Sequence, residues 1–404
     1  MKVLHVIPAV APRYGGPSQA IVEMCLALQR AGVDVEICTT DADGKRRLAV
    51  TLNTPTVYRG VRAHFFRHDR SEAFKFSRSL RRWLYENVGH YDIVHIHGVF
   101  ADATYAAAQA CQRHGVPYIV RPLGTLEPWS MQQKPLRKAV AWRLFFQRVI
   151  QNAVVVHYTT DQERELTERS LHLKKGVVIP NGVDEALLAI QPGSGFRQQH
   201  GIPTDAPMIL TLSRLHPKKG IDLLLQAFVD LKAQGKLAAA HLVIAGDGEA
   251  DYVQQLRDIA GGTAVEAMIH WVGWLESANK FAALAEADLF VLSSFQENFG
   301  IGAVEAMACG TAVLLSRQVG LASAVVDAGA GWVVDLDATG LRKGLADVMT
   351  DPQELAARGT AARTLVRERF TWPGIVHEWK PLYENFSSRK EAFVVPHERV
   401  IGSR

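Results

Sequence analysis

The stretch that decides the fold spans residues 287–310 and reads ADLFVLSSFQENFGIGAVEAMACG. Its apolar opening, 287–292, predicts a buried strand, and 303–308 consists of good helix formers. Gly300 and Gly302 lie between them, where a backbone without Cβ atoms can approach a ligand closely. The pattern therefore predicts a strand, a glycine turn and a helix, which is the repeating unit of a doubly wound parallel sheet.

Two glutamates eight positions apart, Glu297 and Glu305, flank the glycine turn. We predict that the helix begins at about Gly302 and directs free N–H groups and its positive dipole end into the turn, an arrangement that suits phosphate. Glu297 is then an acceptor at the site, and Glu305, about one turn inside the helix, faces a neutral polar group such as a sugar hydroxyl. The alternative is that both are solvated surface carboxylates, but their position at the C-terminal end of a strand favours a ligand site.

Strand-like apolar runs alternate with helical patterns along the whole chain. The predicted strands are 3–7, 33–39, 93–96, 118–120, 154–157 and 177–179, then 208–212, 241–245, 268–272, 289–292 and 312–314. The helical stretches between them are 18–31, 101–113 and 136–151, then 220–231, 251–260, 278–286 and 303–309. This alternation predicts an α/β protein with two doubly wound parallel-sheet, Rossmann-like domains.

The domain boundaries follow from an Asn-Gly turn after Pro180, which predicts a linker over 181–205. Two such domains leave a cleft between the C-terminal ends of their strands, where a ligand is expected. The predicted divisions are an N-terminal acceptor-side domain over 1–185, a C-terminal donor-binding domain over 186–370, a helix over 371–386 that returns to the first domain and a flexible tail over 387–404.

Length and composition limit the class of protein. A chain of 404 residues is too long for one ordinary core, and 48% apolar with 21% charged residues is typical of a soluble globular protein. The run Met1–Pro8 is too short for a secretion signal, and no apolar run is long enough to cross a membrane. Four scattered cysteines without a CxxC pair predict reduced core residues and a cytoplasmic protein.

The charge of the chain is uneven. Residues 1–180 carry 25 Lys and Arg against 15 Asp and Glu, whereas the remainder carries 20 against 26. A basic first half predicts an anionic partner, and the lack of any zinc-finger, RNP or helix-turn-helix signature argues against nucleic acid. Basic residues interleaved with bulky apolar ones over 75–84 and 134–150 favour an anionic membrane surface, with peripheral association at the inner face. The alternative is a pair of ordinary amphipathic helices packed on a sheet.

Two segments of the second half follow predicted strands and carry candidate ligand groups. Arg214 and Lys219 come just after the strand 208–212, where two cations suit a diphosphate. A lone basic pair in a loop is usually solvated, so this assignment depends on the neighbouring helix start. Gly246 begins a tight glycine turn after the strand 241–245.

The first half has three further segments at strand ends. Gly15 and Gly16 form a phosphate-type turn that lacks the GxGxxG spacing of dinucleotide sites. His95 and His97 lie on one face of a strand, but no third ligand at a sensible spacing supports a zinc site. The triplet Asp41-Ala-Asp reads as a solvated loop rather than a metal-binding Asp-x-Asp motif.

Taken together, these segments resemble the retaining nucleotide-sugar glycosyltransferases of glycosyltransferase family 4, which have the GT-B architecture. The resemblance covers roughly residues 1–386. Its motifs, in chain order, are VIPNGVD (178–184), SRLHPKKG (213–220), AGDGE (245–249), IHWVG (269–273) and the E-x7-E segment from Glu297 to Glu305. The GGP turn at 15–17 and the RPLGTLEPW segment at 121–129 look like those of members that build bacterial surface polysaccharides.

The resemblance implies a donor site for a UDP- or GDP-linked sugar, a saccharide or lipid-linked acceptor, and no metal or other cofactor. The implied catalytic residues are Glu297, His97, Arg214 and Lys219, with Arg214 and Lys219 on the diphosphate. Glu305 would bind the ribose hydroxyls, and Glu297 would bind the donor sugar together with the backbone amides of 298–301. The implied donor-binding set is Gly15, Gly16, Arg214, Lys219, Gly246, Glu297, Asn298, Phe299, Gly300, Ile301 and Glu305.

Three other readings stay open at the level of the sequence. A nucleotide-sugar 2-epimerase on the same fold would turn over without an acceptor. A Rossmann dehydrogenase is disfavoured because no GxGxxG follows the first strand. A non-catalytic sugar- or partner-binding module is disfavoured because every charged donor residue is present.

Overall fold

The structure is a computed structural model that describes residues 1–69, 72, 74–173 and 176–388. It divides into two compact units, one made of Met1–Pro180 with the segment that begins at Ile375, the other of Asn181–Gly374. The helix predicted over 371–386 is present as Trp372–Ser387. The tail predicted over 387–404 lies, beyond residue 388, outside the described residues.

The first unit is built on a sheet of eight strands in the order β10-β9-β8-β7-β1-β2-β6-β5. The strands of this unit are β1 (Lys2–Ala9), β2 (Asp34–Thr40), β3 (Ala42–Asp43), β4 (Arg46–Arg47), β5 (Pro55–Tyr58), β6 (Val61–Phe66), β7 (Ile93–His97), β8 (Tyr118–Arg121), β9 (Val155–Tyr158) and β10 (Gly176–Val178). The chain adds strands on one side of β1 and then, from β7 onward, on the other. The order therefore reverses between β1 and β7, and ligands bind at such a switch point.

One edge of this sheet departs from the all-parallel prediction. Strands β5 and β6 form an antiparallel hairpin, whereas the other pairings in the sheet are parallel. The hairpin was missed because its residues alternate polar and apolar side chains around Arg59 and Gly60, both with positive φ, instead of forming a continuous apolar run.

Seven helices accompany the sheet in the described part of the first unit, before the final helix. They are α1 (Gly16–Arg30), α2 (Arg78–Asn87), α3 (Asp102–His114), α4 (Pro128–Gln132), α5 (Pro135–Ala141), α6 (Gln147–Asn152) and α7 (Asp161–Leu171). A π-helical segment, Trp142–Phe146, joins α5 to α6. One apolar core of this unit lies between the sheet and helices α2, α3 and α6.

The second unit contains a six-stranded, all-parallel sheet in the order β13-β12-β11-β14-β15-β16. Its strands are β11 (Met208–Leu212), β12 (His241–Ala245), β13 (Ile269–Gly273), β14 (Leu289–Leu292), β15 (Ala312–Ser316) and β16 (Gly331–Val334). Its helices are α8 (Gly195–Gln199), α9 (Ile221–Ala233), α10 (Ala250–Asp258), α11 (Ser277–Glu286), α12 (Ile301–Ala308), α13 (Ala322–Asp327), α14 (Ala338–Val348) and α15 (Pro352–Arg369), and α16 (Trp372–Ser387) ends the described chain. Here the strand order reverses between β11 and β14.

The stretch 181–205, predicted as a linker, packs into the second unit instead. Val183, Leu187, Phe196 and Ile202 are buried in its apolar core. Arg197 is also buried and binds the carbonyl groups of Glu286 and Ala206. The Asn-Gly turn signal was correct for the local backbone, but polar turn residues do not reveal the apolar contacts made a few residues later.

The two basic amphipathic segments expose other apolar residues than expected. Phe146 is buried, and Trp83 and Trp142 pack against the core of the first unit. The exposed apolar side chains lie instead along α5 and the π-helical segment, at Leu136, Val140, Leu144 and Phe145. The extra residue in a π-helical turn shifts the helix faces, which places Phe146 in the core while Leu144 stays outside.

Two further sequence-based expectations concern burial. All four cysteines are buried and unpaired, as predicted. Among the residues that the structure describes, no helix has the length and apolar character needed to cross a membrane.

Candidate functional site

The strongest candidate site lies at the switch point of the second sheet, where β11 and β14 end side by side. The loop after β11 carries Arg214 and Lys219, and the loop after β14 carries Glu297. Lys219 Nζ forms an ion pair with Glu297 Oε2, and Arg214 is exposed in the same loop as Lys219. The structure therefore brings the basic loop with Arg214 and Lys219 together with Glu297, which the sequence had assigned from a separate segment.

The Lys219–Glu297 pair remains accessible to a ligand. The two side chains keep 15% and 18% of their surface exposed. Burial alone would raise the pKa of Glu297, but the charges of Lys219, Lys218 and Arg214 outweigh it and hold this pKa below its usual value. The carboxylate is thus ionised at neutral pH, within a cluster of positive charge that suits an anionic ligand.

The backbone under Glu297 is fixed on both sides. Its N–H donates to the Gln318 carbonyl at 3.2 Å, and its own carbonyl accepts the Gly320 N–H at 2.7 Å. The Phe295 N–H donates to the Lys218 carbonyl at 2.8 Å, which ties the loop after β14 to the loop after β11. The carboxylate and the two cations are therefore mounted on one rigid edge, as an organised charge site requires.

Helix α12 begins at Ile301, one residue before the predicted start at Gly302. Its N-cap, Gly300, has φ +95° and no capping side chain, so the first amides of α12 point away from the helix toward the site. The ring of Phe299 is buried edge-on against Phe370, with ring centroids 5.7 Å apart. Of the predicted donor-binding residues 298–301, Phe299 can therefore offer only its backbone.

The backbone geometry requires glycine at position 246, for a reason that the sequence did not reveal. Its φ is +144°, and a Cβ at this position would overlap the Ser213 carbonyl. The Gly246 N–H donates to the Gly273 carbonyl at 2.7 Å, and Gly248 bridges to Leu215. These contacts fix the ends of three neighbouring strands, and a donor contact by Gly246 stays a prediction.

Glu305 has a charged neighbour where a neutral one was expected. It is buried one turn inside α12, and its Oε1 lies 2.7 Å from Nζ of Lys280 on α11. Sequence reasoning missed Lys280 because it precedes Glu305 by 25 positions and lies on another helix. The available signal was a lysine placed directly before the apolar run 281–285 of this helix.

In the first unit, the glycine turn stands at the switch point beside β1. Gly15, with φ +77°, is the N-cap of α1, and Gly16 and Pro17 begin the helix. No side chain caps this helix, so its first amides are available to an anion. The predicted contact of Gly15 and Gly16 with the donor stays a prediction.

His97, predicted as a catalytic residue, is buried in a layer of histidines. His5 on β1, His95 and His97 on β7, and His157 on β9 lie on one face of the sheet. The rings of His95 and His97 are stacked, with centroids 4.4 Å apart. Only Gly98, which follows His97, is partly exposed at this strand end, so the role of His97 in catalysis stays a prediction.

The hydrogen bonds of this layer set the tautomers of His157 and His95. His157 Nε2 donates to the Ile179 carbonyl at 2.7 Å, so its Nδ1 accepts from His95 Nε2 at 3.2 Å. The Tyr383 hydroxyl on α16 then donates to His95 Nδ1 at 2.8 Å. His5 and His97 share one further bond of 3.1 Å. Neutral imidazoles satisfy all these contacts.

The structure supplies a third candidate ligand that the spacing along the sequence did not reveal. In the described chain, His5 joins His95 and His97 to form a group whose ligand atoms lie within 4.8 Å of one another. However, both ring nitrogens of His95 are already hydrogen-bonded. The buried Arg121 guanidinium also opposes positive charge here, because it contributes, after burial, to lowering the pKa of each histidine. The contacts therefore favour a hydrogen-bonded layer over a metal centre.

Asp41 is not the solvated loop residue that was predicted. Its side chain is buried, and one carboxylate oxygen accepts from the backbone N–H and Nδ1 of His68 at 2.9 and 2.8 Å. Arg47 binds the other oxygen at 2.8 Å. Burial alone would raise the pKa of Asp41, but these contacts lower it. The carboxylate is therefore a structural anchor for the loop after β2.

Comparison with known proteins identifies the class of protein to which this chain belongs. Residues 14–187 match the family model described as Glycosyltransferase Family 4, and residues 195–365 match the one described as Glycosyl transferases group 1. Among the curated relatives, D-inositol 3-phosphate glycosyltransferase 2 of Catenulispora acidiphila is 30% identical over 339 residues, covering 79% of this chain and 78% of the relative. Phosphatidyl-myo-inositol mannosyltransferase of Mycolicibacterium smegmatis is 30% identical over 315 residues, covering 77% and 75%.

Among solved structures, Anabaena Alr3699/HepE in complex with UDP and glucose aligns with a TM-score of 0.75 and 22% identity, covering 95% of this chain and 100% of that one. Both doubly wound units therefore have the fold of GT-B glycosyltransferases. The chain belongs to glycosyltransferase family 4.

Proposed function

We propose that the protein is a retaining hexosyltransferase that moves a sugar from a UDP- or GDP-linked donor to a saccharide or lipid-linked acceptor, in bacterial polysaccharide biosynthesis. The observation that carries the proposal is the Lys219–Glu297 ion pair, with Arg214 in the same loop, beside the uncapped start of α12. This edge offers cations and backbone amides for a diphosphate and a carboxylate for sugar hydroxyls.

The proposed mechanism follows from the positions of the positively charged groups in the site. The bond between the anomeric carbon and the diphosphate oxygen breaks while Arg214, Lys219 and the α12 amides stabilise the charge that develops on the departing diphosphate. The acceptor hydroxyl attacks the same face, its oxygen bonds to the anomeric carbon, and its proton passes to the departing phosphate. The anomeric configuration is retained, and no metal is needed to neutralise the leaving group.

Glu297 is assigned to sugar binding rather than to covalent catalysis. Its carboxylate is already bound to Lys219, so its charge is shared with the cation that meets the diphosphate. A double displacement would require a second carboxylate against the opposite face of the sugar, and no residue has been assigned that position. Same-face attack is therefore the mechanism that we favour.

Two observations bear on the acceptor and favour a lipid-linked one. The two curated relatives are named for transfer to inositol 3-phosphate and to phosphatidyl-myo-inositol. The exposed stripe of Leu136, Val140 and Leu144 supports a membrane-bound acceptor, because these side chains are 83%, 58% and 63% exposed. Residues 128–160 contain five Lys and Arg and no Asp or Glu. Apolar insertion flanked by positive charge suits an anionic lipid surface.

The competing functions are separated by ligand binding. A nucleotide that binds only the native state raises the melting temperature, with about 2.7 kcal/mol of stabilisation at a hundredfold excess over Kd. We expect UDP or GDP to stabilise the protein and nicotinamide dinucleotides to have no effect. Stabilisation by NAD alone would favour a dehydrogenase, and conversion of a nucleotide sugar to its epimer without acceptor would favour the 2-epimerase. Nucleotide binding without turnover of any donor would favour a non-catalytic module.

A further inference from the structure

The buried pair of Lys280 and Glu305 has features that a purely structural contact does not need. Nζ of Lys280 lies 2.7 Å from Oε1 of Glu305, and the two side chains keep only 11% and 5% of their surface exposed. Burying two charges is costly, and apolar residues of similar volume usually stabilise a core as well or better. Helices α11 and α12 already contribute Ala283, Leu284 and Met307 to a shared apolar core.

The position of the pair points to a ligand. Lys280 is the fourth residue of α11 and Glu305 the fifth of α12. Because helices of a parallel sheet begin at the C-terminal ends of the strands, both residues lie near the edge of the sheet where ligands bind. Glu305 also lies one helical turn beyond the Gly300 turn and the Lys219–Glu297 pair.

The chemistry of the pair matches a pair of hydroxyl groups. A carboxylate only accepts hydrogen bonds and an ammonium only donates them, whereas each ribose hydroxyl does both. This inference rests on the donor site proposed above. We propose that Lys280 is a positioning and specificity residue that orients Glu305, and that the two residues together distinguish ribose from 2′-deoxyribose in the nucleotide. A site built to bind a hydroxyl group strongly rejects a ligand without that group, because the buried polar groups of the site are then left unpaired.

The test compares UDP and GDP with their 2′-deoxy forms by calorimetry. We expect the wild-type protein to bind the preferred ribonucleotide more than tenfold tighter than its 2′-deoxy form. Lys280→Met should reduce this ratio to below about threefold and raise the KM for the nucleotide sugar with little change in kcat, and Lys280→Arg should restore most of the ratio. Replacing a lysine with a merely structural role would not change the ratio of the affinities for the two nucleotides.

Two further variants keep the test independent of folding. Lys280→Met with Glu305→Gln removes both charges, so no uncompensated charge stays buried, and it should also lose the ribose preference. Lys232→Met, in the last turn of α9, is the matched control and should keep it. A folded Lys280 variant that keeps the wild-type ratio of ribonucleotide to 2′-deoxynucleotide affinity would overturn this inference but not the proposed function. Absence of any UDP or GDP binding by the wild-type protein would overturn the proposed function.

Discussion

Lys219 and Glu297 stand 78 positions apart in the chain and form an ion pair across the switch point of the second sheet. The pair connects the cation assigned to the diphosphate with the carboxylate assigned to the sugar. The two side chains keep only 15% and 18% of their surface exposed, and the net stability gained from such a largely buried pair is small, because the cost of removing both charges from water offsets their attraction. Their main effect is to arrange charge for a ligand.

Glu297→Gln should therefore impair turnover far more than folding. Loss of one preorganised charged group costs about 2–4 kcal/mol in the transition state, whereas the melting temperature should change by only a few degrees. Donor turnover and thermal unfolding are measured on the same samples. Asp335→Asn, which breaks the exposed pair with Arg317, is the matched control and should leave turnover unchanged. A Glu297→Gln enzyme with native kcat/KM would remove this residue from the site.

Activity should persist in EDTA, because Arg214, Lys219 and the start of α12 meet the diphosphate. Asp41 should not contribute a metal site, since His68 and Arg47 occupy its carboxylate oxygens. Asp41→Asn should lower the melting temperature without changing the response of the enzyme to EDTA or Mn²⁺. Activity that EDTA abolishes and Mn²⁺ restores would contradict the metal-free mechanism.

The histidine layer predicts a loss of stability in mild acid. Burial, followed by the charge of Arg121, lowers the pKa of His5 to about 3, and burial also lowers the pKa values of His95, His97 and His157 well below 6.5. The unfolded chain therefore binds more protons than the folded chain below about pH 6.5. Each such histidine removes about 1.4 kcal/mol of stability per pH unit as the pH falls from 6.5 toward 3.

Urea unfolding at pH 7, 6 and 5 measures this effect. We expect the midpoint to fall steeply with pH, and the fall to be shallower in His5→Asn. His90→Asn replaces an exposed histidine and should show the wild-type slope. A midpoint independent of pH over this range would mean that the layer is not held neutral.

Membrane association should depend on the Leu136, Val140 and Leu144 stripe. The wild-type protein should sediment with anionic vesicles and not with zwitterionic ones, and salt should weaken binding, because each basic residue near such a surface contributes about 1 kcal/mol. Replacing the three apolar residues by Ser should reduce binding at least tenfold. Gln at Arg137 and Arg143 should also reduce it, whereas Lys138 is bound to Ser130 and should matter less.

The control for this assay is a serine variant of two exposed valines elsewhere, Val57 and Val326. This variant should bind vesicles as the wild-type protein does. Equal binding to both lipids, or no binding to either, would leave the stripe without a membrane role and favour an acceptor free in solution.

Sequence reasoning succeeded where the signal is local. The alternation of apolar strands with helices and the glycine turn before α12 are each readable within a short segment, whereas the ligand roles of Arg214 and Lys219 stay predictions. Groupings that depend on strand register were missed, as with His5, which reaches His95 only because β1 and β7 pair side by side. Lys280 was missed because its contact with Glu305 depends on how two helices, α11 and α12, pack together. A pattern along one segment does not show which side chains on other elements will meet it.

The most direct test of the central claim is turnover of a panel of UDP- and GDP-linked hexoses, with and without saccharide acceptors, followed by nucleotide release and by NMR of the anomeric proton. We predict that at least one donor is consumed with retention of configuration. Arg214→Ala and Lys219→Ala should each lose about 2–4 kcal/mol in kcat/KM, while Lys236→Ala, which removes an exposed lysine outside the site, should stay close to the wild type. Near-native kcat/KM in both single variants, or no nucleotide release from any donor, would contradict the account.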